Sequence, residues 1–225
     1  PRTLQMAVLG IKSMSLIETP PKNRKSVATY VVPFDKKLVR EVIYKEVCRG
    51  GQVFVLYNRV EDIEMKLASF KALAPDVSFG IAHGKMNKDT FEQVMNDFVD
   101  GKFDVLICTT IIETGVDIPN VNSLIVLNAD RFGLSQLYQI RGRVGRSDRL
   151  AYAYLMYEKG KVLTEQAMKR LKVIKDFTEL GSGFAIATRD LSIRGAGDIL
   201  GSDQAGFIDT VGMDMYLKML NEEVL

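Results

Sequence analysis

The chain has 225 residues, of which 47% are hydrophobic and 26% are charged, so it is long enough to bury one sizeable core with an appendage. Because 30 basic residues nearly balance 28 acidic ones, the net charge is only +2, and any nucleic-acid contact must come from local basic clusters. No apolar run has the length of a membrane span, and a single histidine argues against a His-based metal site.

Cys48 and Cys108 are isolated, and each lies in an apolar stretch. This pattern favours small hydrophobic residues in a reducing cytoplasm over a disulfide framework. The chain begins on Pro1 rather than Met, which suggests a piece of a longer protein, and we expect this piece to be monomeric.

Six short apolar segments predict β-strands, and amphipathic segments between them predict helices. Gly50 follows one apolar stripe and predicts the end of a helix. Asn87 precedes a second stripe and Gly101 follows it, so these residues predict the two ends of another helix. The predicted strands are 27–32, 53–57, 77–81, 105–107, 124–127 and 151–157. Strands that alternate with helices predict an α/β fold with a parallel sheet covered on both faces.

The pattern changes near residue 160. Residues 164–180 read as one helix, the segment 181–183 breaks it, and a second helical stretch begins near Phe184. A glycine-rich corner follows at 194–197. We therefore divide the chain into an α/β domain at 1–160 and a helical hairpin with a C-terminal extension at 161–225.

Residues 136–146 place Gln139, Arg143 and Arg146 around two glycines. Arginine binds phosphate oxygens bidentately, and glycine lets the backbone approach a ligand closely. The set is typical of a site that stabilises charge on a nucleoside triphosphate. The alternative is a solvated basic turn, but the segment follows an apolar strand and its glycines separate the arginines.

The segment 109–119 follows a buried strand and supplies hydroxyls, two carboxylates and a glycine. In an open α/β sheet, ligands bind beyond the carboxyl ends of the strands, so this loop is expected to hold a phosphate there. Asp117 is suited to accept hydrogen bonds from a ribose or from a neighbouring arginine.

Taken together, these segments resemble the second RecA-like motor domain of superfamily 2 helicases and translocases. Residues 53–58 resemble motif IV, 82–86 resemble motif IVa, 109–119 resemble motif V, and 139–146 match the Q-x-x-G-R-x-G-R form of motif VI. The resemblance implies a RecA-like, P-loop-NTPase-type fold that uses ATP with Mg²⁺.

The resemblance also implies residue roles. Arg143 and Arg146 would act as arginine fingers on the ATP phosphates, and Gln139 would bridge the attacking water or γ-phosphate. The other implied ligand residues form two sets, which are Glu113, Gly115 and Asp117 for ATP and Gly84, Lys85, Thr110 and Thr114 for DNA. No metal ligand is assigned in this chain.

Residues 180–201 resemble the translocation motif shared by two bacterial families, the transcription-repair coupling factors and the RecG fork-remodelling helicases. The motif implies a lever on duplex DNA that depends on Arg189, Arg194 and Gln204, although Arg189 and Asp190 are equally suited to form an ion pair within the hairpin. Residues 17–21, 110–117 and 194–197 favour the coupling factors. That family implies double-stranded DNA as a partner, and RNA polymerase and excision-repair proteins as partners of other domains.

No G-x-x-x-x-G-K-[ST] sequence and no D-E-x-H/D box occurs in the chain. The chain therefore carries half of an ATPase site, and MgATP is expected to bind mainly to another domain. Two alternatives remain, which are a RecG-type helicase for branched DNA and a non-catalytic α/β module that binds nucleic acid.

Overall fold

An all-parallel six-stranded sheet forms the centre of the computed structural model, which describes residues 25–109, 120–146, 149–179 and 181–194. The strands are β1 (Ala28–Pro33), β2 (Gln52–Leu56), β3 (Phe79–Ala82), β4 (Val105–Cys108), β5 (Val121–Val126) and β6 (Tyr152–Tyr157). Their order across the sheet is β1-β6-β5-β2-β4-β3, and every neighbouring pair is parallel. The prediction of a parallel α/β sheet is confirmed.

Helices cover both faces of this sheet. They are α1 (Lys36–Cys48), α2 (Ile63–Leu73), α3 (Lys88–Val99), α4 (Leu134–Arg141), α5 (Glu165–Asp176) and α6 (Gly183–Arg194), with a 3₁₀ turn at Ala129–Arg131. The connections through α1 and α2 step one way across the sheet, whereas those through α3 and α4 step the other way. Right-handed crossovers therefore place the two pairs on opposite faces.

Each face has its own hydrophobic core. One core packs α1 and α2 against the sheet through residues such as Ile43 and Phe70. The other packs α3, α4, α5 and α6 through Phe98, Leu137 and Ile174, among others. The two C-terminal helices thus share a core with α4 and belong to the same compact body as the sheet. None of the helices in the described part of the chain is long and apolar enough to cross a bilayer.

Several predicted element boundaries shift where buried polar groups hide the pattern. Strand β5 begins at Val121, three residues before the predicted start, because Asn122 and Ser123 are polar but buried. The hydroxyl of Ser123 donates a hydrogen bond to the buried Glu46 carboxylate, which satisfies both groups. Strand β3 begins at Phe79 rather than at 77.

Two predictions about apolar residues are wrong. Cys48 is exposed at the last turn of α1, whereas Cys108 is buried and donates a weak hydrogen bond to the Val55 carbonyl. Burial raises the pKa of the Cys108 thiol above its usual range, so this residue stays a protonated, inert thiol. Val99 is 46% exposed at the end of α3, although it fits the apolar stripe.

The helix start predicted at Asn87 is confirmed, and Thr164 caps a second helix. The Asn87 side chain accepts a hydrogen bond from Thr90 N–H at 2.7 Å, and the Thr164 hydroxyl accepts one from Ala167 N–H at 3.2 Å. The helix predicted for 164–180 nevertheless ends at Asp176, and the next helix begins at Gly183. A side chain from α4 holds this early end, as described below.

Candidate functional site

The candidate residues lie at two opposite edges of the sheet. At the carboxyl edge, where all six strands end, Thr109 N–H donates to the Ala82 carbonyl at the end of β3. At the amino edge, where the strands begin, the Asn120 carbonyl accepts from Gln52 N–H at the start of β2.

Motif V, residues 109–119, connects β4 to β5. Five candidate residues of the segment lie outside the described residues, and these are Thr110, Glu113, Thr114, Gly115 and Asp117.

Motif VI lies at the amino edge. Helix α4 follows β5 and runs back along the sheet, so its end meets the beginning of the same strand, where Gly145 N–H donates to the Val121 carbonyl at 3.0 Å. Gln139 is exposed on this helix, Arg143 is half-buried in the following turn, and Arg146 is exposed just after it. The structure therefore brings these three candidates together on one short stretch of surface.

Gly145 is required by the turn that places these arginines. Its φ is +70°, a left-handed conformation, and a Cβ atom there would lie 2.5 Å from the Cβ atom of Ala151. The turn is thus held between two neighbouring chain segments with no space for a side chain.

We expect Gly145→Ala to lower the free energy of unfolding by about 1–3 kcal/mol, since it adds both backbone strain and a steric clash. Urea denaturation followed by circular dichroism measures this loss. Gly160→Ala is the matched control, because Gly160 also has a positive φ, at +81°, but nothing lies within 4 Å of an added Cβ atom. Equal stability of the Gly145 variant and the unaltered chain would contradict the steric argument.

Arg141 is a structural residue of the site that the sequence interpretation missed. It is only 5% exposed, and its guanidinium donates to the Ile174 and Phe177 carbonyls, both at 2.6 Å. These carbonyls lie at the C-terminal end of α5, where the helix itself leaves acceptors unpaired and favours a positive charge. Burial lowers the pKa of Arg141, yet an arginine stays charged.

Helical spacing is the signal that would have found Arg141. It lies seven residues after Leu134 and four after Leu137, which places it on the buried face of α4. The neighbouring motif VI arginines point to a different environment, so residue type alone does not distinguish a structural arginine from a ligand arginine here.

Helix α6 is also tied to α4. The Ser135 hydroxyl donates to the Asp190 carboxylate at 2.8 Å, and Asp190 is fully buried. The Tyr138 hydroxyl lies beside Gly183, where an added Cβ atom would approach it to 3.1 Å. Helix α4, whose last residues begin motif VI, therefore contacts both C-terminal helices through specific polar groups.

The three candidates for the translocation motif fall into different places. Arg189 is exposed and lines a cleft of about 430 Å³ between α5 and α6, together with Lys172 and Phe177. Arg194 is the last residue of α6. Gln204 lies outside the described residues.

The candidate DNA residues Gly84 and Lys85 are exposed at the carboxyl edge, in the turn that follows β3. Met86 N–H donates to the His83 carbonyl, which closes this turn and presents both residues to solvent. The Lys85 ammonium lies 3.3 Å from the Glu61 carboxylate. A backbone hydrogen bond and, after it, Lys85 lower the pKa of Glu61.

The described residues fit a nucleotide better than they fit a metal. Motif VI supplies cations for phosphate oxygens, but no group of three or more His, Cys, Asp or Glu side chains converges in the described part of the chain. Those residues therefore do not form a Mg²⁺ site of their own.

Comparison with known proteins adds a family and several relatives. Residues 35–148 match the helicase conserved C-terminal domain. The transcription-repair-coupling factor of Bacillus subtilis (strain 168) is 62% identical over 224 residues, and that of Staphylococcus haemolyticus (strain JCSC1435) is 56% identical over 224 residues. Each match covers 100% of this chain and 19% of the relative, so the chain spans about a fifth of their length.

Two solved structures share the fold of this chain. A structure of RecG bound to a three-way DNA junction has a TM-score of 0.73 and 37% identity, and it covers 98% of this chain and 29% of that chain. Domain 2 of the DEAD-box helicase Mss116p bound to an RNA duplex shares the fold, with a TM-score of 0.54 and 17% identity over 67% of this chain and 60% of that chain. The chain belongs to the helicase conserved C-terminal domain family, in the form that transcription-repair-coupling factors carry.

Proposed function

We propose that this chain is the second motor domain of an ATP-dependent translocase on double-stranded DNA, in which it supplies arginine fingers and a DNA lever. One observation carries the proposal, namely that motif VI lies at the amino edge on a helix whose other side is bonded to α5 and α6. Contacts with ATP would therefore be linked to movement of the C-terminal helices through one rigid element, α4.

The nucleotide role rests on charge and placement. Arg143 and Arg146 would approach the phosphates of an ATP held by a P-loop domain in the longer protein, and Gln139 would orient the attacking water or the γ-phosphate. Bound MgATP supplies the phosphoryl group and the metal charge, and the arginines stabilise negative charge that develops during transfer. Glu113, Gly115 and Asp117 of motif V would complete the nucleotide side.

The DNA role belongs to the opposite edge. Gly84 and Lys85 would contact backbone phosphates there, and Thr110 and Thr114 of motif V would add further phosphate contacts. Gly84 and Lys85 lie at the carboxyl edge and motif VI lies at the amino edge, whereas motif V would supply residues for both ligands.

The lever role follows from the bonds to α4. When α4 moves toward bound ATP, the end of α5 would move with it through Arg141, and α6 would move with it through Asp190. Arg194 and Gln204 would then transmit the displacement to DNA, and Arg189 would face the α5–α6 cleft. Coupling of this type requires a connected element whose position both the ATP site and the DNA site influence, and α4 would be that element.

The relatives named transcription-repair-coupling factors support RNA polymerase and excision-repair proteins as partners of the longer protein. Under this proposal the longer protein displaces stalled RNA polymerase at DNA lesions and recruits nucleotide excision repair. The RecG structure at 37% identity supports a second candidate function, the remodelling of branched DNA. A preference for three-way junctions over linear duplex of equal length would favour this second function.

The test compares ATP hydrolysis by this 225-residue chain with hydrolysis by a protein that joins it to its P-loop domain. We expect no hydrolysis by the chain alone, because it contains no phosphate-cradling lysine loop. We expect DNA-stimulated hydrolysis by the joined protein. Hydrolysis by the purified chain that Arg143→Ala abolishes would contradict this division of the site.

We also expect Glu61→Gln to strengthen duplex DNA binding by about 1.5- to 5-fold, since an exposed ion pair contributes little and its loss releases Lys85 for phosphate. Fluorescence anisotropy at one fixed salt concentration measures the change. Glu64→Gln is the control, because Glu64 is exposed nearby on α2. Equal gains in both variants would show a general charge effect instead of competition for Lys85.

A further inference from the structure

A crevice at the carboxyl edge has no role in the function proposed above. Its volume is about 320 Å³, and it opens beyond the ends of β1, β2, β5 and β6. The residues that line it include Phe34, Tyr57, Lys66, Asn128, Glu158 and Lys159. Motif VI lies at the opposite edge, so this crevice is separate from the proposed ATP contacts.

The crevice coincides with a switch point in the topology of the sheet. Strands β2 and β5 are neighbours, but the chain leaves β2 toward α2 on one face and leaves β5 toward α4 on the other. The two departing segments separate and leave a gap between them. Ligands of open α/β sheets bind in such gaps beyond the carboxyl ends of the strands.

An aromatic and cationic wall forms one side of the crevice. The Lys66 ammonium lies 5.1 Å from the centre of the Tyr57 ring and 5.8 Å from that of the Phe34 ring. The Tyr57 hydroxyl donates to Asp62 at 2.5 Å, which fixes the ring. Burial and, after it, Asp62 raise the pKa of Tyr57 to about 12, so the ring remains a neutral phenol. The wall thus offers apolar ring surface beside a positive charge.

Asn128 forms another side. Among the described residues it is the one non-glycine residue with a positive φ, at 52°, and such a conformation persists where the surrounding structure requires it. It precedes the 3₁₀ turn, yet its side chain makes no capping hydrogen bond. Its amide therefore has both a donor and an acceptor available to a ligand.

These groups match the chemistry of a nucleotide. An aromatic base packs on a ring such as Phe34, and an asparagine amide pairs with the edge of a base. Lys66 and Lys159 supply positive charge for a phosphate. A purely apolar ligand would leave these polar groups unpaired.

The crevice is also continuous with the proposed DNA surface. The loop that follows β2 contributes Tyr57 to the crevice, and further along the same loop Glu61 pairs with Lys85. β2 is the crevice strand nearest to β3, at two strand spacings or about 10 Å, whereas β1, which precedes Phe34, lies five spacings or about 24 Å from β3. One nucleic-acid strand can span these distances.

We propose that this crevice binds one nucleotide, with the base against Phe34 and the Asn128 amide and the phosphate near Lys66 and Lys159. The nucleotide is either an unstacked nucleotide of bound DNA or a free mononucleotide, which presents the same groups. The DNA source rests on the proposed function, whereas the mononucleotide source does not.

The test measures binding of two fluorescein-labelled DNAs to this chain by anisotropy, one fully paired and one with a two-nucleotide unpaired tail. Phe34→Leu removes the ring but keeps an apolar side chain, and Asn128→Gly removes the amide but tolerates the positive φ. We expect weaker binding of the tailed DNA by about 5-fold or more for Phe34→Leu and by about 2- to 10-fold for Asn128→Gly. Binding of the paired DNA should change less than 2-fold.

Two controls and a second arm complete the design. Lys71→Met lies on the same helix as Lys66 but is exposed outside the crevice, so Lys66→Met should weaken binding of the tailed DNA and Lys71→Met should not. Titration with dTMP, followed by the NMR signals of the Asn128 amide, tests the free nucleotide. Shifts that Phe34→Leu abolishes support a mononucleotide site. Losses confined to tailed DNA support a site for unstacked DNA.

The proposal is overturned if Phe34→Leu and Asn128→Gly bind both DNAs and dTMP as the unaltered chain does, while Lys85→Ala weakens DNA binding. That result would leave the proposed DNA surface intact. If the unaltered chain binds neither DNA, the DNA part of the proposed function fails for this chain. The dTMP titration then tests the crevice proposal by itself, and an absence of NMR shifts at Asn128 contradicts that proposal.

Discussion

Arg146→Ala is expected to lower DNA-stimulated ATP hydrolysis by about 10³- to 10⁵-fold in a protein that carries this chain with its P-loop domain. Arg146 is exposed at the amino edge, directly after the Gly145 turn. The Arg146 guanidinium would stabilise the negative charge that develops on the phosphoryl group of an ATP held by the P-loop domain. Alanine has no positive charge with which to do so. Steady-state turnover at saturating DNA measures the loss.

Arg131→Ala serves as the matched control, since Arg131 is an exposed arginine on the 3₁₀ turn beyond β5. It should keep turnover within about 2-fold, because a surface substitution away from a site has little effect. Turnover of Arg146→Ala within 10-fold of the unaltered protein would contradict the finger role.

Arg194→Ala separates the finger from the lever. We expect this variant to keep ATP hydrolysis but to lose translocation, which a triplex-displacement assay on duplex DNA reports. Arg146→Ala should lose both activities together. If Arg194→Ala loses hydrolysis and translocation to the same extent as Arg146→Ala, the lever assignment is wrong while the finger assignment stands.

Arg141→Gln is expected to lower the free energy of unfolding by about 2–4 kcal/mol, because it removes two charge-assisted hydrogen bonds and leaves two carbonyls at the end of α5 unpaired. The arginine is only 5% exposed, so water cannot replace those bonds without opening the core. Urea denaturation measures the loss of stability. Hydrogen exchange at residues 174–177 should rise more than exchange in β2.

Arg141→Lys and Lys172→Gln provide the comparison. Lysine keeps the positive charge near the helix end but cannot bridge two carbonyls with one planar group, so an intermediate loss is expected. Lys172 is exposed on α5, and its replacement should change the free energy of unfolding by less than about 0.5 kcal/mol. A loss for Arg141→Gln no larger than that of Lys172→Gln would show that the two hydrogen bonds do not hold α5.

The two large effects concern arginines that lie only five residues apart, yet their roles differ entirely. Arg146 is exposed at the amino edge, whereas Arg141 is buried and bonded to α5. A stability loss in Arg141→Gln with ATP hydrolysis retained in the folded fraction would separate these roles experimentally. Residue type and proximity alone assign both arginines to phosphate.

Local patterns in the chain were sufficient to predict most of the secondary structure. Asn87 caps a helix as predicted, and Gly50 and Gly101 adopt positive φ where the apolar stripes end. These features depend on residues within one or two turns of each other, so they can be read from a single sequence. The parallel sheet follows from the alternation of buried strands with helices.

The arrangement of the site depends on contacts between distant segments, which no local pattern contains. Arg141 meets the Phe177 carbonyl 36 residues away, and Ser135 meets Asp190 55 residues away. Strand direction places motif VI, after helix α4, at one edge and Lys85, after β3, at the other, whereas strand order opens the crevice beside Asn128. Motif spacing therefore predicts which residues carry the chemistry, while strand order and long-range hydrogen bonds set the neighbours of each residue, because both arise only when distant segments pack together.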